Sequence, residues 1–321
     1  MKKFVEMSLL RSVLDRLEPY AKIEVLNEVR HGDHKFPLYG ITIGGDDGPE
    51  CPTLGLFGGV HGLEKIGSHL VINYLNSLTE QLEWDETLRN LLKYCKIVSI
   101  PIINPVGMYR NWRSNGNGVD LMRNAPVETD EPIWLPLSGQ SFSDKMPWFQ
   151  GIPEKMEIET QTVVEFVQKE MFQSRFAMSL DVHSGFGMVD RLWHPYGKSR
   201  RPFADLGAAT RFERLLDKSI SYHVYKVEPQ SHSYLIQGDM WDYLYDSFKS
   251  QNKQTTYLPW TLELGSWVWV KKNPRQALSL SGFFNPILPH RYKRTMRRHR
   301  GLLDLMLRAT YSFDSWNQMQ K

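Results

Sequence analysis

Gly-Leu-Phe-Gly-Gly-Val-His-Gly-Leu-Glu, at residues 55–64, sets the architecture of the chain. An apolar run ends in Gly58-Gly59, where the backbone can turn sharply, and apolar residues at helical spacing follow the glutamate. The pattern predicts a buried strand, a tight turn and a helix. His61 and Glu64 then share one face of the first helical turn. Together they can bind one small cation, and zinc accepts a mixed imidazole and carboxylate ligand set.

Strand and helix patterns alternate along the rest of the chain. This predicts an α/β fold with a mixed, mainly parallel central sheet and helices on both faces. Strands are predicted at 37–43, 53–59, 96–103, 176–182, 191–194, 222–227 and 256–264. Helices are predicted at 64–80, 153–173, 203–216, 239–250 and 290–311. We expect a single domain over 1–321, with a leading helix and a polar turn in 1–35 and a C-terminal helix, 290–321, packed on the domain.

The composition indicates a soluble globular protein of 321 residues, 41% of them hydrophobic and 23% charged. A net charge of +3 gives no reason to expect nucleic acid or a membrane as a partner. We interpret the basic run at 290–300 as a solvated helix face. Two cysteines argue against a disulfide framework. We interpret residues 9–17 as an amphipathic helix and not as a signal peptide, and the given sequence contains no run of 18 apolar residues. The predicted location is therefore the cytoplasm, and the oligomeric state is left open.

Reactive side chains recur at the ends of other predicted strands. His183 directly follows the strand at 176–182, and Glu263 lies near the end of the strand at 256–264. Ligands bind at the carboxyl ends of strands in open α/β sheets, so these residues and the irregular segment 104–153 are expected near the His-x-x-Glu pair. Alone, His183 is equally well explained as a satisfied buried histidine. A lone glutamate in an apolar strand is costly unless paired, which favours a function for Glu263.

The order of these motifs resembles that of the M14 zinc carboxypeptidase family, and in particular that of a bacterial-type member. The resemblance covers roughly residues 37–270, and it is specific as a set although no single element is. The matching segments, besides His-x-x-Glu and the later His-Ser pair, are Asn104-Pro105-Val106-Gly107, Arg110-Asn111-Trp112-Arg113, Gly118-Val119-Asp120-Leu121-Met122-Arg123-Asn124, Glu159-Thr160, Tyr234 with Gly238, and Thr261-Leu262-Glu263.

The resemblance implies one zinc ion (Zn2+) per chain, held by His61, Glu64 and His183 with one position left for water. It implies that Asp120 hydrogen-bonds a ligand imidazole and fixes its tautomer. Glu263 would be the general base, which takes a proton from the attacking water and passes it to the leaving amine.

Substrate contacts follow from the same resemblance. Arg113 would stabilise the oxyanion, Arg123 would hold a substrate carboxylate, and Tyr234 would close over the substrate. Met122 departs from the family, which places there an asparagine that shares the terminal carboxylate with the arginine. Because methionine donates no hydrogen bond, the grip on a free C-terminus is weakened. Trp241 falls near the floor of the specificity pocket, where an indole suits a small or apolar side chain.

The predicted function is that of a zinc-dependent metallopeptidase of the carboxypeptidase type, acting on peptides or peptide-like amides. An N-acyl amino acid deacylase, similar to the succinylglutamate desuccinylase and aspartoacylase relatives, uses the same ligands and base, and Met122 keeps that alternative open. A catalytically inactive member that only binds a peptide would be expected to lack a ligand or the base. The resemblance also implies a cis peptide bond at Ser184–Gly185.

Overall fold

Eight strands form one mixed sheet in the computed structural model of the chain, which describes residues 4–132, 136–152, 155–251 and 254–318. The strands are β1 (Ala21–His31), β2 (His34–Gly44), β3 (Thr53–Gly58), β4 (Lys96–Ile100), β5 (Phe176–Ser184), β6 (Arg191–His194), β7 (Lys226–Pro229) and β8 (Thr256–Leu264). Their order across the sheet is β1-β2-β4-β3-β5-β8-β6-β7. The central strands β4, β3, β5 and β8 run parallel, whereas β1, β2 and β4 pair antiparallel, as do β6 and β8. The predicted α/β class is confirmed.

Helices cover both faces of this sheet. They are α1 (Val5–Leu17), α2 (Lys65–Leu82), α3 (Glu86–Lys93), α4 (Pro105–Arg110), α5 (Ile158–Met171), α6 (Leu206–Ser219), α7 (Met240–Gln251), α8 (Trp267–Lys272), α9 (Leu280–Phe284), α10 (Pro289–Tyr311) and α11 (Phe313–Asn317). α1 and α10 pack on α2, and α5 packs on α7. Val182 of β5 contacts Gly67 of α2, whereas the preceding Asp181 contacts Trp241 of α7. Because successive strand side chains point to opposite faces, the two helix groups lie on opposite sides of the sheet.

The parallel centre of the sheet is the core of the fold. β3, β4 and β5 are buried along their whole length, as strands covered on both faces should be. Their carboxyl ends lie together at one edge of the sheet, where the chain leaves each strand for a loop. This edge carries the reactive residues identified in the sequence.

The amino-terminal region differs from its prediction. The leading helix is present as α1, but the polar turn expected behind it is strand β1, which pairs with β2 in a hairpin that turns at Gly32. β1 is an edge strand whose polar and apolar residues do not alternate cleanly, so its periodicity in the sequence is weak. α10 packs on α2 and α6, and α11 follows it.

Other predicted elements are present with shifted ends. The helix predicted from 153 begins at Ile158, and its first two predicted residues lie outside the described part of the chain. The strand predicted at 222–227 is found at Lys226–Pro229. Five short helices, α3, α4, α8, α9 and α11, were not predicted, because eight residues or fewer give little periodicity. Within the described residues, no helix is long and apolar enough to cross a bilayer.

Candidate active site

Three potential metal ligands converge at the carboxyl edge of the sheet. One ligand atom each from His61, Glu64 and His183 lies within 4.8 Å of the other two, and all three side chains are buried. Nδ1 of His183 is 3.3 Å from Oε2 of Glu64. Nδ1 of His61 is buried without a hydrogen-bond partner, a costly state that a bound cation at this imidazole would relieve. Two imidazoles and a carboxylate are a ligand set that fits zinc.

Close backbone packing fixes the turn that carries His61 and Glu64. The turn lies between β3 and α2, against the start of α4. A Cβ at Gly62 would lie 2.1 Å from the backbone carbonyl carbon of Gly107, so only glycine allows this approach. The glycines within residues 55–64 therefore bring the two ligands to the sheet edge as well as allowing the chain to turn.

Asn285 holds the same turn from far along the sequence. Its side-chain amide donates a hydrogen bond to the carbonyl of Leu63 at 2.8 Å, and its oxygen accepts one from the backbone N–H of Ile66 at 2.9 Å. The first N–H groups of a helix have no partner within the helix, so this contact satisfies one of them in α2. The segment before α10 thus fixes the position of the glutamate ligand.

The second histidine is oriented by a carboxylate on its own strand. Oδ2 of Asp181 accepts a hydrogen bond from Nε2 of His183 at 2.7 Å and a second from the indole N–H of Trp241 at 2.9 Å. This leaves Nδ1 of His183 directed at Glu64, whose Oε2 also accepts from the backbone N–H of Ser184 at 2.9 Å. A carboxylate partner of this kind fixes the tautomer of a metal-binding imidazole.

Arg113 and Asp120 lie beside the first histidine. The guanidinium of Arg113 donates to Oδ2 of Asp120 at 2.9 Å and to Oε1 of Glu64 at 3.2 Å, and its Nη2 lies 2.8 Å from Nε2 of His61. Oδ1 of Asp120 is 3.6 Å from Nδ1 of His61, which is longer than a hydrogen bond. Asp120 therefore lies close to the imidazole of His61 but does not hydrogen-bond to it here. The hydrogen bond itself stays a prediction.

Arg123 is held mainly by the protein. Its Nε and Nη2 donate to the backbone carbonyl of Leu137 at 3.0 and 2.7 Å, and its Nη1 donates to Asp120 at 3.2 Å. The side chain lines the cleft but is only 2% exposed. Met122 beside it also lines the cleft and offers no side-chain donor. A substrate carboxylate would therefore have to compete with the backbone carbonyl of Leu137 for the hydrogen bonds that Arg123 donates.

The surroundings of the two histidines shift the pKa values of their imidazoles in opposite directions. Burial and the guanidinium of Arg113 hold the pKa of His61 well below its usual value. Burial acts in the same direction on His183, but the carboxylates of Asp181 and Glu64 together outweigh it and raise the pKa of that imidazole. Burial of Asp120 is outweighed by Arg113 and Arg123, which lower the pKa of its carboxyl. His61 is thus neutral at pH 7, the form in which imidazole binds a metal.

Glu263 lies next to the ligand group. It pairs with His183 in the register between β5 and β8, and its Oε1 accepts a hydrogen bond from the backbone N–H of Phe186 at 2.9 Å. Burial, together with the nearby carboxylate of Glu64, raises the pKa of Glu263 to about 8. A carboxyl with a raised pKa accepts and releases a proton near neutral pH, and a positive charge nearby would favour its ionised form.

These residues line one cleft of about 1340 Å³. Tyr234 stands in its wall, where its ring packs against Phe186 and Trp193 at centroid distances of 5.7 and 6.3 Å. Trp241 also lines the cleft, but its indole is hydrogen-bonded to Asp181, so it supports His183 as well as bounding the substrate space. Nine of the ten side chains singled out in the sequence therefore line one cleft, and the tenth, Asp120, is hydrogen-bonded to two of them, Arg113 and Arg123.

One backbone prediction is wrong. In the described part of the chain the cis peptide bond is Pro195–Tyr196 and not Ser184–Gly185. Gly185 instead adopts a positive φ of 132°, and a Cβ there would lie 2.5 Å from the ring of Phe284. The chain makes its tight turn after the histidine through glycine conformation, which needs no cis bond.

Two supporting residues were missed in the sequence. Asp181 carried a usable signal, because a buried aspartate in an apolar strand two residues before His183 must share the face of that histidine. Asn285 carried no such signal, because its partners Leu63 and Ile66 lie 222 and 219 positions earlier in the sequence.

Comparison with known proteins places the chain beside metallocarboxypeptidases. A family model described as zinc carboxypeptidase matches residues 34–271. Mouse carboxypeptidase A4 is 24% identical over 238 residues, which cover 70% of this chain and 55% of the relative. Carboxypeptidase E of Caenorhabditis elegans is 32% identical over 125 residues, covering 34% of this chain and 26% of the relative. The chain thus spans about half, or less, of the length of these curated relatives.

Solved structures show the same fold. Carboxypeptidase A from Helicoverpa armigera superposes with a TM-score of 0.67 at 18% identity, covering 94% of this chain and 71% of that chain. Bovine thrombin-activatable fibrinolysis inhibitor, solved in complex with tick carboxypeptidase inhibitor, gives a TM-score of 0.65 at 19% identity over 97% of both chains.

Proposed function

The chain belongs to the zinc carboxypeptidase family, and on that premise we propose that it is a zinc-dependent metallopeptidase which hydrolyses peptide or peptide-like amide bonds. The observation that carries the proposal is the convergence of His61, Glu64 and His183 within 4.8 Å, with the buried Glu263 beside them. A buried glutamate next to two imidazoles and a carboxylate has no role in packing an apolar core. It suits proton transfer at a metal centre.

We assign the metal to His61, Glu64 and His183, with one zinc ion per chain. When bound, zinc would supply a Lewis acid that activates water and polarises the scissile carbonyl. Asp181 and Trp241 set the orientation of His183, so they act as positioning residues. Asp120 anchors the two arginines that flank the site. The buried, unpartnered Nδ1 of His61 supports a ligand at this position.

The reaction assigned to the chain's own residues is a hydrolysis with one proton shuttle. The oxygen of a water molecule attacks the carbonyl carbon while Glu263 accepts the water's proton. Arg113, whose guanidinium already lies at the site, would donate hydrogen bonds to the oxyanion that forms. Glu263 then gives the proton to the amide nitrogen, the C–N bond breaks, and a carboxylic acid and an amine leave.

The substrate contacts are assigned to four residues that line the cleft. Arg123 and Met122 border the space for a substrate carboxylate, Tyr234 stands where it can close over the substrate, and Trp241 bounds the inner wall. Because Arg123 donates to Leu137 and its neighbour is a methionine, we propose a weaker requirement for a free C-terminus than two donors would impose.

The location and domain count belong to the same proposal. Cys51 and Cys95 are buried free thiols, which supports a reducing compartment such as the cytoplasm. The inclusion of all eight strands in one sheet supports a single catalytic domain over residues 1–321.

The test is to incubate the zinc-loaded protein with a mixed peptide library and a panel of N-acyl amino acids, and to identify products by mass spectrometry. We expect peptides shortened from the C-terminal end. Release of acyl groups without peptide cleavage would instead identify the N-acyl amino acid deacylase. Absence of any product, with peptide still bound, would identify a binding protein. The double variant His61→Ala with His183→Ala is the control, because it lacks two of the three proposed metal ligands and any product it still forms comes from a contaminant.

A further inference from the structure

The positive charge of the chain is concentrated in one segment. Residues 264–303 contain nine Lys and Arg residues and no Asp or Glu. The whole chain has 39 basic and 36 acidic residues, so the rest of it carries 30 basic against 36 acidic ones. The net charge of +3 therefore hides a basic segment on an otherwise acidic protein. The absence of any carboxylate in the segment distinguishes it from an ordinary solvated helix face, where both signs alternate.

Most of these cations are exposed and unpaired. Arg291, Arg298 and Arg300 have partners in the carbonyl of Trp269, the carboxylate of Asp190 and the hydroxyl of Ser77. The other six are exposed and, within the described residues, make neither an ion pair nor a side-chain hydrogen bond. These six are Lys271, Lys272, Arg275, Lys293, Arg294 and Arg297.

Large apolar side chains are exposed in the same segment. Trp267, Leu278, Leu280, Phe283 and Ile287 are all exposed, Leu278 by 89% and Leu280 by 63%. Isolated exposed apolar residues are ordinary, but five of them within 21 residues of chain form a group. Exposed apolar side chains in the same segment as unpaired Lys and Arg are typical of surfaces that lie in the interface of an anionic membrane. A water-soluble polyanion would use the charges but would leave the apolar residues exposed.

The segment is one packed unit next to the catalytic cleft. α8, α9 and the turn between them contact one another, and Arg291 ties the start of α10 to α8 through the carbonyl of Trp269. Trp267, Leu280 and Phe284 line the cleft. Asn285 joins the segment to the turn that carries Glu64. A ligand bound to this segment would therefore lie near residues that line the cleft.

We propose that the face formed by these six cations and five apolar side chains, the basic face, docks on a bilayer that contains anionic lipids. Lysine and arginine side chains would contact the headgroups, and the apolar side chains would enter the boundary of the acyl region. The cleft would then open along the membrane surface, where peptide substrates attached to or lying on the bilayer are presented. Docking does not depend on hydrolysis, so it extends the proposed function and does not rest on it.

Binding to vesicles tests the charge part of this proposal. The full chain is sedimented with vesicles of phosphatidylcholine alone or mixed with phosphatidylglycerol, at low and high salt. We expect binding to the mixed vesicles only, and weaker binding at high salt because exposed charges are screened. Lys293→Gln with Arg294→Gln and Arg297→Gln should weaken binding about a hundredfold, since each cation near the surface contributes. Arg11→Gln with Lys35→Gln and Lys93→Gln removes the same charge elsewhere and should leave binding unchanged.

A second variant tests the apolar part. Leu278→Ser with Ile287→Ser keeps every charge, changes no residue that lines the cleft, and should weaken vesicle binding roughly tenfold, because less apolar surface enters the bilayer. Circular dichroism checks that both variants fold, and cleavage of a soluble peptide should be unchanged in them. Failure of the wild type to bind phosphatidylglycerol vesicles would overturn the proposal. So would equal binding by the Leu278 and Ile287 variant together with equally tight binding to soluble dextran sulfate, which would identify a polyanion site.

Discussion

Asp181 and His183 are hydrogen-bonded along one strand, with Oδ2 of the aspartate 2.7 Å from Nε2 of the imidazole. Side chains two residues apart in a strand lie on the same face, so the strand itself brings the carboxylate to the ring. Trp241 donates to the same oxygen from α7, and Asp181 is fully buried. The pair fixes which ring nitrogen is protonated and directs the other at Glu64.

Asp181→Asn should lower the affinity for zinc by about ten- to a hundredfold, the usual effect of removing a carboxylate behind a ligand histidine. The amide keeps the shape but accepts the imidazole proton less strongly. Competition with a chromophoric chelator measures the change. Trp241→Phe removes only the second hydrogen bond to the carboxylate and should have a smaller effect. Wild-type affinity in Asp181→Asn would show that the contact does not position a ligand.

Glu263→Gln should leave zinc binding intact and lower kcat at least about a hundredfold, the scale of general-base contributions. The amide preserves the volume and cannot accept the proton of the attacking water. Steady-state kinetics on a peptide found in the library screen, with metal content measured on the same sample, separates the two effects. Turnover near the wild-type rate would eliminate Glu263 as the base.

Met122→Asn should improve cleavage of peptides with a free C-terminus by adding a donor beside Arg123. A charge-assisted hydrogen bond contributes about 1.5–3 kcal/mol, so we expect KM for such peptides to fall roughly tenfold or more. Amidated peptides should be indifferent to the change. Met122→Leu is the matched control, since it keeps the apolar character. An equal gain for free and amidated peptides would show that this position does not read a terminal carboxylate.

His299 should make the fold sensitive to acid. It is buried in α10 between Tyr225 and Asp190, with Arg298 beside it, and burial lowers its pKa to about 4 from the ordinary 6.5. A folded-state pKa below the unfolded value means that the unfolded chain takes up the proton first as pH falls. The stability contribution is therefore complete above pH 6.5 and is lost towards pH 4, by about 3 kcal/mol in total.

Chemical denaturation across this pH range measures that loss. His299→Asn does not titrate and keeps a polar partner for Tyr225, so its free energy of unfolding should fall less steeply with acid than that of the wild type. Parallel curves for the two proteins would show that other groups cause the acid sensitivity.

The sequence predicted the reactive residues of the site better than the contacts that hold them in position. His61, Glu64, His183 and Glu263 belong to short motifs at strand ends, where topology alone brings them to one edge. Contacts such as that of Asn285 with Leu63 join segments more than 200 positions apart and depend on tertiary packing. The sharing of Arg123 with the carbonyl of Leu137 likewise has no local pattern that could predict it.

The fold shows the same division. Buried central strands give continuous apolar runs, and the sequence predicts their ends to within a few residues. For the edge strand β1, the sequence predicts a polar turn instead. Its side chains are mostly half-buried or exposed, so its apolar pattern is weak, and it belongs to the sheet through its antiparallel pairing with β2. The net charge has a similar limit as a predictor, since a whole-chain sum cannot show that nine cations share one segment without Asp or Glu.

The zinc content of the purified chain and of ligand variants, measured by inductively coupled plasma mass spectrometry after dialysis, tests the central claim most directly. We predict one zinc ion per chain in the wild type, and its loss in His61→Ala, Glu64→Ala and His183→Ala, each of which removes one of the three ligands needed for a catalytic site. His69→Gln, which changes a largely buried histidine on α2 outside the site, should keep its zinc. A wild-type chain that binds no divalent metal, or ligand variants that retain the full amount, would contradict the account.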